Sequence, residues 1–232
     1  MTKTWRFEAI GVIHSPYKQK FGIPRQAGLA PSAKAILELF PPYNNPDAVK
    51  GLETFSHLWL SFIFHQAISK QWKPSVRPPR LGGNKKMGVF ATRSPYRANP
   101  LGLSVVQLEQ VIINKEGVCL SLSGIDLLDQ TPIVDIKPYI QYSDSLPQAN
   151  SGFAQDKPKA IFTVVFSQQA QIELQQIENS ATVEKVIKEI LSLDPRPAYK
   201  NQQDNRIYRT QLFDFDVHWQ IQNKQLMVLA LK

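Results

Sequence analysis

The stretch "VVQLEQVIINKEGVCLSL", residues 105–122, carries the clearest indication of the fold. Two runs rich in valine, isoleucine and leucine, 105–113 and 118–122, flank the short polar loop Asn114-Lys115-Glu116-Gly117. Strand-forming runs separated by a few polar residues that include a glycine are typical of a β-hairpin. The stretch therefore predicts two neighbouring antiparallel strands.

Further short strands are predicted on both sides of this hairpin. Residues 5–9 alternate apolar and charged side chains, as a half-buried strand does, and runs 35–40, 58–64 and 133–136 are apolar enough for strands. Glycine- and proline-containing turns separate these runs, and no long helical pattern lies between them. Many short strands in this arrangement indicate a closed or nearly closed β-barrel.

The pattern changes after a polar segment around residues 143–158. A strand is predicted over 160–166, and Ala170, Leu174, Ile177 and Ala181 are spaced for one face of a helix. A second amphipathic helix follows over 183–191, and strands follow over 213–221 and 226–231. We therefore predict a mainly β protein, with an N-terminal β-barrel over residues 1–142, a linker over 143–159 and a small α+β domain over 160–232.

The distribution of charge is more informative than the net charge of +8. Residues 1–100 contain 15 Lys and Arg against 4 Asp and Glu, and no acidic residue lies between Thr54 and Leu108. An uncompensated basic stretch of this length indicates a polyanionic partner, because binding phosphates releases counterions. We predict that the partner is nucleic acid; the alternative is a solvated surface without a partner.

Several chemistries are excluded by what the sequence lacks. It contains no G-x-G-x-x-G, no Walker loop and no nucleophile elbow, and its four histidines are too scattered for a metal site, so we predict no metal. The single cysteine, Cys119, forms no intrachain disulfide. The longest apolar run, 58–64, is far shorter than the roughly 20 residues of a membrane helix, and the first residues do not resemble a signal peptide. These features predict a cytoplasmic protein that does not bind membranes.

A proline-bounded loop is the first candidate for a site. In "GVFATRSPYRANPLGLS", residues 88–104, a strand-like run at 89–91 leads into a segment stiffened by two prolines. Between and beside the prolines it presents Arg93, Tyr96, Arg97 and Asn99. Three other clusters are candidates: residues 21–26, the pair His65-Gln66 after an apolar strand, and residues 123–132 with two aspartates. Taken singly, each is equally consistent with a surface charge, a strand end or a turn.

Together, these segments resemble one family. The stretches "IGVIHSPYKQKFGIPRQ", "GLETFSHLWLSFIFHQ", "VRPPRLGGNKKMGVFATRSPYRANPLGLS", "GIDLLDQTPIVDIKPY" and "DPRPAYK" are similar to the TsaA-like, TrmO family of bacterial tRNA adenine N6-methyltransferases. The resemblance implies a β-barrel that binds S-adenosylmethionine, a small C-terminal domain and a homodimer. It also implies one substrate, the N6-threonylcarbamoyladenosine just 3′ of the anticodon of a threonine tRNA, which is methylated on N6.

The resemblance also implies roles for the clusters. The residues that match the family's cofactor site are Pro24, Arg25, Gln26, His65, Gln66, Arg93, Leu103, Asp126, Leu127, Leu128 and Asp129. Near the substrate, the candidate catalytic residues are Asn99, Tyr96 and Arg97. The residues expected to contact tRNA are Arg77, Arg80, Lys85, Lys86, Asp194, Arg196, Tyr199 and Lys200.

Some alternatives stay open on the sequence. The N6 proton has two candidate acceptors, Asn99 and a carboxylate such as Asp126. The stretch 194–200 is either a substrate-reading loop, with Tyr199 stacked on a base, or an ordinary connection after a helix. The protein as a whole is either the methyltransferase that the resemblance implies, a non-catalytic RNA-binding barrel, or a methyltransferase for another acceptor.

Overall fold

The computed structural model describes residues 4–69, 71–196, 206–222 and 225–232. In this part of the chain the strands are β1 Gly11–His14, β2 Lys34–Leu39, β3 His57–Ile63, β4 Ser75–Val76, β5 Met87–Gly88, β6 Leu101–Asn114, β7 Gly117–Ser123, β8 Thr131–Pro138, β9 Thr163–Phe166, β10 Tyr208–Leu212, β11 Phe215–Gln222 and β12 Gln225–Leu231. The α-helices are α1 Gln141–Asp144, α2 Gln168–Gln175 and α3 Ser180–Leu191.

Six strands close into a barrel in the order β1-β2-β7-β6-β3-β8, which confirms the predicted architecture. Alternate residues point inwards, so that Leu37, Leu58, Leu60, Leu120 and Leu122 are all fully buried. Burying a leucine side chain contributes about 1.5–3 kcal/mol. The apolar residues at every second position therefore stabilise the closed barrel.

The hairpin predicted from residues 105–122 is formed by β6 and β7. The two strands pair antiparallel from Gln107↔Ser123 to Asn114↔Gly117. At the turn, the Asn114 side chain accepts hydrogen bonds from the backbone N–H groups of Glu116 and Gly117, at 2.9 and 3.1 Å. Gly117 has a φ of 134°, which favours glycine over any other residue.

The strand predicted over residues 5–9 is wrong. The first strand starts at Gly11 instead, and Trp5 and Phe7 are 69% and 63% exposed. The last hydrogen bond of the ladder between the β1 and β2 segments runs from the Phe40 N–H to the Ile10 carbonyl. Residues 41 and 42 are prolines and have no N–H to donate, so the ladder cannot extend further back along the chain. The strand-like run Val89–Ala91 is likewise a single turn of 3₁₀-helix.

The C-terminal region is a four-stranded sheet in the order β10-β11-β12-β9, with β9 parallel to β12 and α2 against β12. The structure therefore has the predicted α+β character. The single helix face predicted from Ala170 to Ala181 is divided between two helices. The break falls at Asn179, whose φ of 56° lies in the left-handed region, just before α3 begins.

The barrel and the C-terminal sheet share one continuous apolar core. Tyr17, in the loop after β1, is fully buried and bridges to Leu212 of β10. On the other side of the contact, both carboxylate oxygens of Glu189 in α3 accept hydrogen bonds from Ser32, at 3.0 and 2.8 Å. The division of the chain at residues 142 and 160 stays a prediction; β8 ends at Pro138 and β9 begins at Thr163.

Candidate active site

A cleft of about 200 Å³ lies against the wall of the barrel where β3 and β6 pair. It is lined by Gln26, Ala27, Trp59, Arg93, Leu103, Ser104, Val105 and Asp126. Four of the predicted cofactor residues thus come together from three distant stretches of the chain. A larger open depression of about 440 Å³ lies along the linker, but its lining residues, Pro147, Gln148, Ala149, Asn150, Gly152 and Gln155, carry no charge.

The β6 strand supplies the apolar side of the cleft. Ser104 and Gly102 are buried, whereas Leu101 and Leu103 are 42% and 56% exposed, so these leucines point away from the barrel core. Leu103 lies opposite Ser61 of β3, and Val105 lies opposite Trp59. Two neighbouring strands therefore present an apolar surface to a ligand rather than to the interior. Trp59 and Ser104 were not predicted; the alternation along β3 places Trp59 on the outer side, whereas Ser104 is in phase with the core positions of β6 and no signal in the sequence marks it.

Asp126 is the most unusual group of the cleft. Burial raises the pKa of its carboxyl, while hydrogen bonds from Ser104 and the Ala27 backbone and the charge of Arg93 act in the opposite direction. Its Oδ1 is buried and has no hydrogen-bond partner among the described residues. Buried polar atoms are nearly always satisfied, so an unsatisfied carboxylate on a residue that lines a cleft fits a ligand that brings hydrogen-bond donors or positive charge.

Arg93 also lines the cleft, and its charge acts on this carboxylate. Its guanidinium donates to the side-chain carbonyl of Gln26, and the Gln26 amide in turn donates to the Arg25 carbonyl. Arg25 and Arg93 are both exposed, and Pro24 behind them is buried. The loop after β1 and the proline-bounded loop are therefore linked at the cleft, with a guanidinium accessible to an anionic group.

The neighbours of Asp126 have structural contacts. Leu127 and Leu128 are 1% and 8% exposed. The Asp129 carboxylate accepts from the Ser15 backbone N–H at 2.8 Å and pairs with Lys18 at 2.9 Å. These three residues hold the segment in place and do not line the cleft. Their predicted contact with a cofactor stays a prediction.

His65 and Gln66 also lie outside the cleft lining. They form a 3₁₀ turn immediately after β3, and Lys20 donates to the Gln66 carbonyl. Burial lowers the pKa of His65, the hydrogen bond to the Ile63 backbone acts in the opposite direction, and the nearby charge of Lys20 lowers the pKa as well. The predicted contact of both residues with a cofactor stays a prediction.

Within the proline-bounded loop, Arg97 differs from its neighbours. Its guanidinium donates to the Thr92 carbonyl at 2.7 Å and lies 3.5 Å from the Ser94 carbonyl, so it ties the loop to itself. Tyr96 is 55% exposed, and Asn99 is exposed as well. Of the three predicted catalytic residues, Tyr96 and Asn99 are accessible to a substrate, and Arg97 is committed to holding the loop.

The predicted phosphate-binding cations lie at the surface. Arg77, Arg80, Lys85 and Lys86 are all exposed, around the small sheet of β4 and β5. Arg80 donates to the backbone carbonyl of Asp156 in the linker. In the part of the chain that the structure describes, none of Arg77, Lys85 and Lys86 forms an ion pair.

The prediction that Arg196 contacts phosphates is wrong. Arg196 is 2% exposed, and its guanidinium makes two hydrogen bonds, of 2.8 and 2.9 Å, to the two carboxylate oxygens of Asp194. The same group lies over the rings of Phe162 and Tyr208. The Arg196 guanidinium is therefore buried, whereas the Asp194 carboxylate is 19% exposed, and its contact with tRNA stays a prediction. Tyr199 and Lys200 lie outside the described residues.

No group of three or more His, Cys, Asp and Glu side chains in the described residues is arranged to hold a metal ion. None of the helices in these residues is long and apolar enough to cross a bilayer.

Comparison with known proteins gives consistent matches over nearly the whole chain. Residues 12–145 match the tRNA-methyltransferase O N-terminal domain, and residues 159–232 match the TrmO C-terminal domain. The chain is 48% identical to a tRNA (adenine(37)-N6)-methyltransferase of Escherichia coli, over 99% of this chain and 98% of that protein. It is 47% identical to a putative S-adenosylmethionine-dependent methyltransferase of Pseudomonas aeruginosa, over 90% of each.

Solved structures agree with these matches. A crystal structure of TrmO superposes with a TM-score of 0.81 at 39% identity and covers 99% of both chains. A crystal structure of TrmO from Pseudomonas aeruginosa superposes with a TM-score of 0.80 at 38% identity, again over 99% of both chains. With both of its domains matched in order on a six-stranded barrel and an α+β sheet, the chain belongs to the tRNA-methyltransferase O (TrmO) family.

Proposed function

We propose that this protein is an S-adenosylmethionine-dependent tRNA methyltransferase that methylates N6 of adenosine 37, and that its substrate is the threonylcarbamoylated form of that adenosine in a threonine tRNA. Membership of the family supports the reaction. The observation in the structure that supports it best is the unsatisfied, buried carboxylate of Asp126 in a cleft that also contains Arg93 and the apolar side chains of Trp59, Leu103 and Val105.

The residues of the cleft fit this cofactor. Arg93 suits the methionyl carboxylate, since a guanidinium forks onto a carboxylate. Asp126 suits the ribose hydroxyls or the positive charge, and Leu103 offers an apolar surface to the adenine. The predicted contacts of Pro24, Arg25, Gln26, His65, Gln66, Leu127, Leu128 and Asp129 belong to this proposal as well. When bound, S-adenosylmethionine supplies an activated methyl group, so the protein's task is chiefly to position the acceptor in line.

The acceptor nitrogen must also lose a proton. N6 of threonylcarbamoyladenosine belongs to a ureido group and is a poor nucleophile until that proton leaves. Asp126 is favoured as the base, because burial raises its pKa and makes the carboxylate more basic than an ordinary aspartate. Asn99 can accept only a hydrogen bond, and we propose that Asn99 and Tyr96 orient the modified base at the rim.

The direct test is nucleoside mass spectrometry of tRNA from cells with and without this protein. We expect N6-methylated threonylcarbamoyladenosine to disappear when the protein is deleted, and to return with the wild-type gene. The unmethylated threonylcarbamoyladenosine should accumulate in threonine tRNA. An unchanged nucleoside profile would contradict the proposed reaction.

We further propose that the exposed cations around β4 and β5 bind tRNA phosphates. Each neutralised phosphate contact lowers the salt slope of binding by about 0.7–0.9. A Lys85→Gln/Lys86→Gln variant is therefore expected to bind tRNA more weakly, with a slope of log K against log salt reduced by about 1–2, and with unchanged affinity for S-adenosylmethionine. The matched control is Lys50→Gln/Lys115→Gln, which removes two exposed lysines elsewhere on the barrel. If both double variants bind tRNA with the same salt slope, residues 77–86 are an ordinary solvated surface and not a phosphate-binding site.

Three finer features belong to the same proposal. We propose a homodimer, supported by the exposed apolar side chains of Ile68 and Leu101, which a second copy can cover. A molar mass in solution equal to one chain would contradict it.

We also propose that the protein acts in the cytoplasm, because that is the compartment where the proposed substrate occurs. We propose that Tyr199 and Lys200 contact the anticodon loop.

A further inference from the structure

Two exposed aromatic rings lie together on the basic loop region and are not used by the proposed cofactor site. Trp72 is 48% exposed and Phe90 is 73% exposed, yet their rings are stacked, with centroids 6.1 Å apart and planes inclined by 29°. Water disfavours large apolar side chains on a surface, so a preformed and solvent-facing pair of rings indicates a binding surface.

The chain holds this pair in place from both sides. Trp72 lies just before β4 and Phe90 just after β5, and the two short strands pair Ser75 with Gly88 and Val76 with Met87. The Val89 N–H donates to the Pro74 carbonyl at 2.9 Å, and the Val89 side chain is buried. The rings are therefore presented by a closed backbone hairpin.

The charges around the rings determine what kind of partner fits. Lys73, Arg77 and Lys86 are exposed in the same segment, and no acidic residue lies between Thr54 and Leu108. An apolar protein partner seated on the rings would cover these cations without supplying charge to compensate them, which is costly. A nucleic acid supplies phosphates for the cations and flat bases for the rings.

The position of the rings relative to the cleft fixes which nucleotides are reached. Phe90 is three residues before Arg93, which lines the cleft, so their Cα atoms are at most about 11 Å apart. A base stacked on Phe90 is therefore a near neighbour of the nucleotide that enters the cleft. From these observations we propose that Trp72 and Phe90 form a stacking platform for an unpaired base that flanks the target adenosine in the anticodon loop.

This inference rests on the proposed tRNA substrate, and its test separates the two. Stacking on an aromatic ring is worth about 1–3 kcal/mol per base, which corresponds to a change of roughly 5- to 150-fold. We expect Phe90→Leu and Trp72→Leu each to raise the KM for tRNA about tenfold, with affinity for S-adenosylmethionine unchanged. Phe90→Trp, in contrast to Phe90→Leu, should keep the wild-type KM, because tryptophan supplies a ring for stacking whereas leucine supplies only apolar area.

A second measurement, the fluorescence of 2-aminopurine, reports base stacking directly. An anticodon stem-loop with 2-aminopurine in place of each base beside the target should show quenched fluorescence on binding the wild-type protein, and the quenching should be lost in the leucine variants. Phe7→Leu is the matched control, since it removes a ring that is 63% exposed, between Trp72 and Phe90 in exposure, and lies outside the acid-free segment 54–108. If the wild-type protein does not methylate tRNA, the proposed function fails. If it does, but the leucine variants retain the wild-type KM and quenching, the stacking platform alone is overturned. A leucine variant that changes the molar mass of the protein overturns it too, by making the rings an interface between copies.

Discussion

An Arg93→Ala variant is expected to bind S-adenosylmethionine about 10- to 100-fold more weakly than the wild-type protein, because hydrogen bonds to charged groups contribute about 1.5–3 kcal/mol. Arg93 lines the cleft together with Asp126 and donates to Gln26. Removing it takes away the guanidinium that is proposed to bind the methionyl carboxylate, and also the link between two loops of the site. Because Arg93 is exposed, the variant should fold normally. Isothermal titration calorimetry measures the affinity.

Two variants sharpen this measurement. Arg93→Lys keeps the positive charge but loses the planar fork, so its affinity should lie between those of the alanine variant and the wild type. Arg209→Ala removes an exposed arginine of β10, outside the cleft, and should bind like the wild type. An unaltered affinity of Arg93→Ala would remove Arg93 from the cofactor site.

We expect the same titration to depend on pH through Asp126. Burial raises the pKa of this carboxyl, so the group takes up a proton at a higher pH than the ordinary aspartate value of about 3.9. If its carboxylate attracts the cofactor, affinity should be constant at high pH and should fall as the pH drops through the raised pKa. Asp126→Asn should bind weakly without this dependence. The folded state holds this proton more tightly than the unfolded state, so ionised Asp126 destabilises the fold above its raised pKa; the asparagine variant should therefore melt at a higher temperature at neutral pH.

Periodicity was sufficient to predict the barrel, but not where its strands end. The alternation in 105–122 reflects burial on one side of a sheet, and that burial is what closes β6 and β7 into the barrel wall. Residues 5–9 show the same alternation and form no strand, because the neighbouring chain after Phe40 is two prolines. Strand pairing depends on donors in another segment, which a local pattern does not contain.

The site was also predicted only in part, because a local pattern does not show which distant residues meet in the fold. Arginine, aspartate and glutamine in proline- and glycine-rich loops are visible in sequence, and Gln26, Arg93 and Asp126 do meet in one cleft. Trp59 and Ser104 were missed because they occupy strands, where an apolar or small residue is expected to serve the core. For Arg196 the error is the reverse, because the sequence predicted a surface contact with tRNA and the side chain is buried. Its sequence context, a charged residue between two prolines, does not reveal the two rings and the carboxylate that bury it.

The burial of Arg196 leads to the largest expected effect on stability. An Asp194→Ala variant should lose about 1.5–3 kcal/mol, because it removes the carboxylate that accepts two charge-assisted hydrogen bonds from Arg196, whose side chain is 1% exposed. For a chain of this size, each kcal/mol lowers the melting temperature by about 2–4 °C. Asp194→Asn should lose less, since asparagine also tolerates the φ of 53° found here and keeps one hydrogen-bond acceptor. Urea and thermal unfolding measure both variants.

The controls separate a core ion pair from an RNA contact. Glu184→Ala breaks the exposed pair of Glu184 with Lys188 in α3, and should cost no more than about 0.5 kcal/mol. Combining Asp194→Asn with Arg196→Met removes both charges and should recover part of the loss, because the buried guanidinium is then removed together with its carboxylate. If Arg196 served tRNA phosphates, Asp194→Ala would be as stable as Glu184→Ala, and Arg196→Met would reduce the salt slope of tRNA binding. Its burial beneath Phe162 and Tyr208 predicts the reverse: a large loss of stability in Asp194→Ala, and a salt slope that is unchanged in the folded double variant.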